Sequence, residues 1–109
     1  SFGWHHCKYG YLGTKDVIDV YDNYKKYNFP IDVMWADIDY MDRWRDFTIA
    51  SNISWAGLND FVKELHREKR YFVPIMDAGV AIVPDESYES LQDGLKQGVF
   101  IKSGSKKRA

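Results

Sequence analysis

The feature that most limits what this chain can become is an alternation of short β-branched and aromatic runs with stretches whose apolar residues recur at helical spacing. Phe2 to Tyr11 is apolar and aromatic with little helical period and is closed by Gly10 and Gly13, which predicts a strand leading into a loop. From Lys15 the apolar residues Val17, Ile18, Tyr21 and Tyr24 share one face of a helix, with Asp19, Asp22 and Lys26 on the other. Thr14 is placed to cap that helix, and Pro30 to end it by removing a donor and restricting Phe29. Ile31 to Ile38 reads as a buried strand and Asp39 to Asn52 as a polar and aromatic loop. Ser54 is a second candidate cap, before a stripe of Leu58, Phe61, Val62 and Leu65 with Lys63, Glu64, Arg67 and Glu68 facing water. Tyr71 to Met76 returns to strand composition. Ser87 to Lys96 carries a weaker helical stripe through Leu91 and Leu95, and Val99 to Lys102 predicts a short final strand.

Strands alternating with helices at this spacing build parallel βαβ units with right-handed crossovers. A doubly wound sheet of the dinucleotide-binding type would announce a phosphate loop after its first strand, whereas Gly10 and Gly13 form no G-x-G-x-x-G pattern. The expected fold is therefore α/β, the first three βα units of a TIM (β/α)8 barrel, incomplete in this chain. A full barrel takes ~250 residues, and this chain has 109. Residues 1–102 are read as the partial barrel, and residues 103–109, with Lys106, Lys107 and Arg108, as a solvated basic tail. Such a piece leaves sheet edges and a lumenal face uncovered. It is expected beside the remainder of the same protein or inside a larger assembly.

Composition narrows the partners. A net charge of −1 and a pI near 6.3 supply no basic field for a nucleic-acid backbone or an anionic membrane. Cys7 is the one cysteine, so no intrachain disulfide and no thiolate cluster can form. His5, His6 and Cys7 are consecutive on a predicted strand and point to opposite faces, which argues against a shared metal. No metal or cofactor is expected. Ser1 to His6 lacks the pattern of a signal peptide, and no run of ~18 apolar residues is present to span a membrane. Asn52-Ile53-Ser54 fits the N-glycosylation pattern and leans toward the secretory route.

In parallel α/β folds ligands sit at the carboxyl ends of the strands. Tyr9 follows the first predicted strand, Asp37 and Asp39 end the second beside Trp35, and Asp77 ends the third. Carboxylates accept strong hydrogen bonds from hydroxyls, and ring faces cover the apolar face of a pyranose, so this rim suits a hydroxyl-rich sugar. The alternative for each is local: strand-end aspartates commonly bind loop amides, and Tyr9 serves equally well in a core. A strand continuing through Asp37 and Asp39 would point both to one face.

Two strings go further. Phe2-Gly3-Trp4-His5-His6-Cys7-Lys8-Tyr9-Gly10-Tyr11 resembles the string that opens the first barrel strand of glycoside hydrolase family 31, and Val33 to Asp42, with its Asp-Ile-Asp-Tyr-Met core, is similar to that family's second-strand signature. Phe47-Thr48 follows at the usual place. The likeness covers about residues 2–83 and resumes at Phe100-Ile101-Lys102. Lys8 stands where Arg is usual, Asp77-Ala78 where Asp-Pro is common, and Ser103 to Ala109 departs from the family's continuation.

The resemblance implies a retaining α-glucosidase that removes terminal non-reducing α-linked glucose from oligosaccharides, with two catalytic carboxyl groups ~5 Å apart. The nucleophile motif of the family, of the type Trp-x-Asp-Met-Asn-Glu, does not occur in this chain. No catalytic residue is assigned here. Carried over by position, Asp37 corresponds to the carboxylate holding sugar hydroxyls in the −1 subsite, Ile38 and Tyr9 to neighbouring wall residues, and Trp35, Asp39 and Asp77 to supporting positions. The alternative reading is a non-catalytic scaffold or carbohydrate-binding piece derived from such an enzyme. The family's secreted, lysosomal and endoplasmic-reticulum members put the expected location on the secretory pathway.

Overall fold

A computed structural model of the chain describes residues 2–50, 53–84 and 87–101. Asn52 of the glycosylation pattern and the tail at 103–109 lie outside the described residues. Contacts divide the chain into two compact units, one running to Ala78 and the other starting at Gly79. The first holds β1 (His5–His6), α1 (Thr14–Lys26), β2 (Val33–Ala36), α2 (Leu58–Arg67) and β3 (Tyr71–Pro74), and the second holds α3 (Glu89–Gln97).

The strands form one parallel sheet in the order β1-β2-β3, with His5 opposite Val33 and Val33 opposite Tyr71. Side chains of a strand alternate between faces. Met34 and Ala36 accordingly join the buried cluster with Val17 and Tyr21 of α1 and Leu58, Phe61 and Leu65 of α2. The stripes read on α1 and α2 are the faces that cover the sheet, whereas on α3 Leu91 is buried and Leu95 is 60% exposed. Ile18 and Tyr24 pack at the margin of this core as partly buried residues.

The element ends differ from expectation. β1 is two residues, not a run from Phe2 to Tyr11, because Gly3 (φ 134°) and Gly10 (φ 92°) take the backbone out of the β region on either side. β2 stops at Ala36, because Asp37 turns the chain into a single 3-10 turn at Ile38–Tyr40 and accepts the Ile38 N–H at 2.7 Å. Thr14 does not cap α1. Gly13 holds that position, where an added Cβ would lie 2.2 Å from the Ser54 carbonyl oxygen. Asp16 instead reaches back to accept the Leu12 N–H at 2.8 Å.

Ser54 does not cap α2 either. It lies in a turn at Ile53–Trp55, and left-handed Gly57 (φ 80°) starts the helix. α1 ends at Lys26, ahead of Pro30, where left-handed Asn28 (φ 52°) lets the Phe29 N–H reach the Tyr24 carbonyl at 2.9 Å. Residues 99–101 of the predicted final strand are not a strand. Left-handed Gly98 closes α3 and the Val99 N–H donates back to the Gly94 carbonyl at 3.2 Å, so it is not free to join a sheet.

Leu65 is fully buried, and Leu65→Ala is expected to lower stability by about 2–5 kcal/mol, whereas Lys63→Ala on the exposed face of α2 stays within about 0.5 kcal/mol. Denaturant titration of the protein carrying this chain measures both.

Candidate functional site

Three parallel strands place their carboxyl ends side by side, so the segments leaving β1, β2 and β3 share one rim. The alternation that sends Met34 and Ala36 toward the helices puts Val33, Trp35 and the start of Asp37 on the opposite face of the sheet. Trp35 is half-buried there and its Nε1–H donates to His5 Nδ1 at 3.0 Å. His5 thus takes the same face as Trp35. His6 takes the helix side, with Nδ1 3.0 Å from the Tyr24 hydroxyl and Nε2 2.5 Å from that of Tyr11.

At the rim, Asp37 accepts the N–H of its own next residue, Ile38, which packs partly buried against the core. Burial first, and the Asp37 charge second, push the Cys7 thiol up. Asp39 Oδ2 accepts the Gly10 N–H at 2.9 Å, and this ties Tyr9, 63% exposed, to the β2 loop. Asp77 is exposed at the end of β3, and its N–H donates to Asp46 Oδ1 at 3.0 Å. Hydrogen bonds therefore join the segment holding Tyr9 to Asp39 and the segment holding Asp77 to Asp46, while Trp35 lies against His5 on the sheet and Ile38 packs against the core.

Sequence reasoning treated the segment after Asp39 as an undifferentiated loop. It is an organised one. The Ala50 N–H donates to the Tyr40 carbonyl at 2.8 Å, closing its neck. Inside, the Asp42 N–H donates to Thr48 Oγ1 at 2.9 Å, Thr48 Oγ1–H donates to the Arg45 carbonyl, and buried Arg45 pairs with Asp42. The guanidinium of Arg45, helped by Arg43, holds the Asp42 carboxyl below the usual range. The Tyr40 hydroxyl donates to the Ile75 carbonyl at 2.9 Å. The one signal for this in the sequence is a pair of charges, Arg45-Asp46, set between Trp44 and Phe47.

Among the described residues no three of His, Cys, Asp and Glu converge as metal ligands, and no helix is long and apolar enough to cross a membrane. An apolar groove lined by Val20, Tyr24, Tyr27 and Phe29 lies along α1 and the turn that precedes β2, away from the rim.

The class of structure this geometry defines is a parallel α/β sheet backed by helices, with carboxylates at the carboxyl ends of its strands. Across residues 1–109 the chain matches the glycosyl hydrolases family 31 TIM-barrel domain, and it belongs to that family. It is 43% identical over 104 residues to an alpha-glucosidase of Hordeum vulgare, covering 94% of this chain and 12% of that protein. With a lysosomal alpha-glucosidase of Mus musculus it shares 42% over 102 residues, covering 93% of this chain and 11% of that one.

Among solved structures it resembles the ER glucosidase II heterodimeric complex of a catalytic subunit and the binding domain of a regulatory subunit. The TM-score is 0.76 at 31% identity, covering 89% of this chain and 10% of that one. The Glc1Man2-bound glucosidase II alpha subunit gives the same TM-score of 0.76 at 31% identity, again covering 89% of this chain and 10% of that one. The chain thus spans 10–12% of the length of these relatives.

Burial, and then the charge of Lys8, lower the His6 pKa. The unfolded chain takes up that proton below about 6.5 while folded His6 stays neutral, so stability is fully present above that pH and falls as pH drops toward the lower folded value. His6→Gln, which does not titrate, is expected to flatten this loss. Unfolding midpoints of both proteins between about pH 5 and 7 check it.

Proposed function

We propose that this chain forms the first three βα units of the catalytic barrel of a retaining α-glucosidase and supplies part of the wall of its −1 subsite. The observation that supports this most is the position of Asp37, one residue past the end of central strand β2 and in phase with Trp35 rather than with core residues Met34 and Ala36. In this reading the Asp37 carboxylate accepts hydrogen bonds from hydroxyls of a terminal α-linked glucose, and charge makes each bond roughly twice as strong as a neutral one. Tyr9 and Ile38 form the adjoining wall. Trp35, Asp39 and Asp77 support it from the β2 strand, the β2 loop and the β3 end.

The two carboxyl groups that act on the glycosidic bond come from elsewhere in the barrel, ~5 Å apart across it. This chain's part is to bind and orient the ring. The substrate is an α-linked gluco-oligosaccharide, the partner is the remainder of the same enzyme, and the location is the secretory pathway, where the lysosomal and ER relatives by name belong.

The test is hydrolysis of maltose by the full-length protein carrying this chain, with the first-formed anomer followed by NMR. The expected product is α-glucose, and Asp37→Ala is expected to lower kcat/KM by at least about 100-fold, as loss of two charged hydrogen bonds predicts. β-Glucose as the first product would remove the retaining mechanism. No glucose from a folded protein would leave the non-catalytic scaffold in its place.

A further inference from the structure

The loop between β2 and α2 grips the segment leaving β3 at two points, Ile75 and Asp77, with one residue between them. The Tyr40 hydroxyl donates to the Ile75 carbonyl at 2.9 Å, and Asp46 Oδ1 accepts the Asp77 N–H at 3.0 Å. Asp46 is 3% exposed although it carries a carboxylate. A buried charge of this kind is retained only where partners satisfy it. Burial, and then the Asp46 charge, push the Tyr40 hydroxyl up. Asp77, held by its backbone, is exposed at the rim.

We propose that Asp46 is a positioning residue: by accepting the Asp77 N–H it fixes the backbone at the end of β3 and so holds the supporting Asp77 in place at the rim of the sugar site. This rests on the α-glucosidase reading for its substrate, and on the loop geometry alone for the pinning. Asp46 touches no substrate in this arrangement. It acts through Asp77, as Asp39 acts on Tyr9 through Gly10.

The experiment uses the full-length protein with Asp46→Ala, Asp46→Leu, Asp46→Asn, Asp77→Ala and the double variant D46A/D77A. Hydrogen exchange at the Asp77 amide is expected to speed up by about tenfold or more in Asp46→Ala while amides of β2 keep their rates. The KM for maltose is expected to rise about tenfold with kcat within about threefold. Asp46→Asn keeps an acceptor oxygen and stays within about threefold of the parent in both readouts. The double variant is expected to be no worse than Asp46→Ala alone, since both changes remove one unit. Should Asp46→Ala not fold, Asp46→Leu fills the volume without an acceptor and is read in its place. Unchanged exchange at Asp77, or KM effects of the two single changes that multiply, would overturn the proposal. A folded parent that releases no glucose sinks the substrate assignment, while the exchange rates still decide whether Asp46 pins Asp77.

Discussion

Everything in the first unit hangs on β2 being paired along both edges. His5 and His6 lie against Val33 and Met34 on one side, and Tyr71 to Pro74 against Val33 to Ala36 on the other. A parallel ladder in this register makes the strands end together, so the loops that follow them have to meet. The same pairing fixes which face each β2 residue serves, because a slip of one residue would exchange Met34 and Ala36 for Val33 and Trp35 beneath the helices. The core would then receive an indole whose N–H now has His5 as its acceptor. Fold and site are consequences of a single register.

The loops meet through side chains, since parallel strands offer no tight turns to join them. The organiser is the segment from Asp37 to Ala50, and its chemistry explains its composition. Arg45 and Asp46 are buried charges in a loop, a costly arrangement unless each is hydrogen-bonded. Here the guanidinium takes Asp42 and the carboxylate takes Asp77 N–H. Arg43, Trp44 and Phe47 all have left-handed backbones, with φ of 53°, 57° and 61°. Such residues cost on the order of 1 kcal/mol or more each and persist where surrounding bonds over-determine them. The Asp42–Thr48–Arg45 network and the closed neck at Tyr40 and Ala50 supply those bonds.

What could be read from the sequence follows from what is periodic. The stripes Val17-Tyr21 and Leu58-Phe61-Leu65 are the helix faces that cover the sheet, and the two strings at Phe2 and Val33 carried the family resemblance that the whole-chain match bears out. What is not periodic stayed hidden. Element ends are decided by single residues with left-handed backbones, such as Asn28, Gly57 and Gly98, or by a close approach such as Gly13 to Ser54, and none of these leaves a hydrophobic signature. Asp46 was overlooked for a related reason: its partner is a backbone N–H far along the chain, and a backbone donor has no letter in the sequence.

Three of the four aspartates in the segment from Asp37 to Ala50 separate by whose amide they accept, the fourth, Asp42, pairing with Arg45. Asp37 binds the N–H of Ile38 in its own turn, Asp39 that of Gly10 in the segment before it in the sheet, and Asp46 that of Asp77 in the segment after it. Asp37 Oδ1 accepts the Ile38 N–H, and because a carboxylate has room for about four hydrogen bonds its other oxygen keeps acceptor capacity. Asp39 and Asp46 use theirs to draw neighbouring segments to β2. Carboxylates that look interchangeable along the sequence thus divide into one that closes its own turn and two that join neighbouring segments, and it is the direction of the backbone partner, rather than the residue type, that divides them.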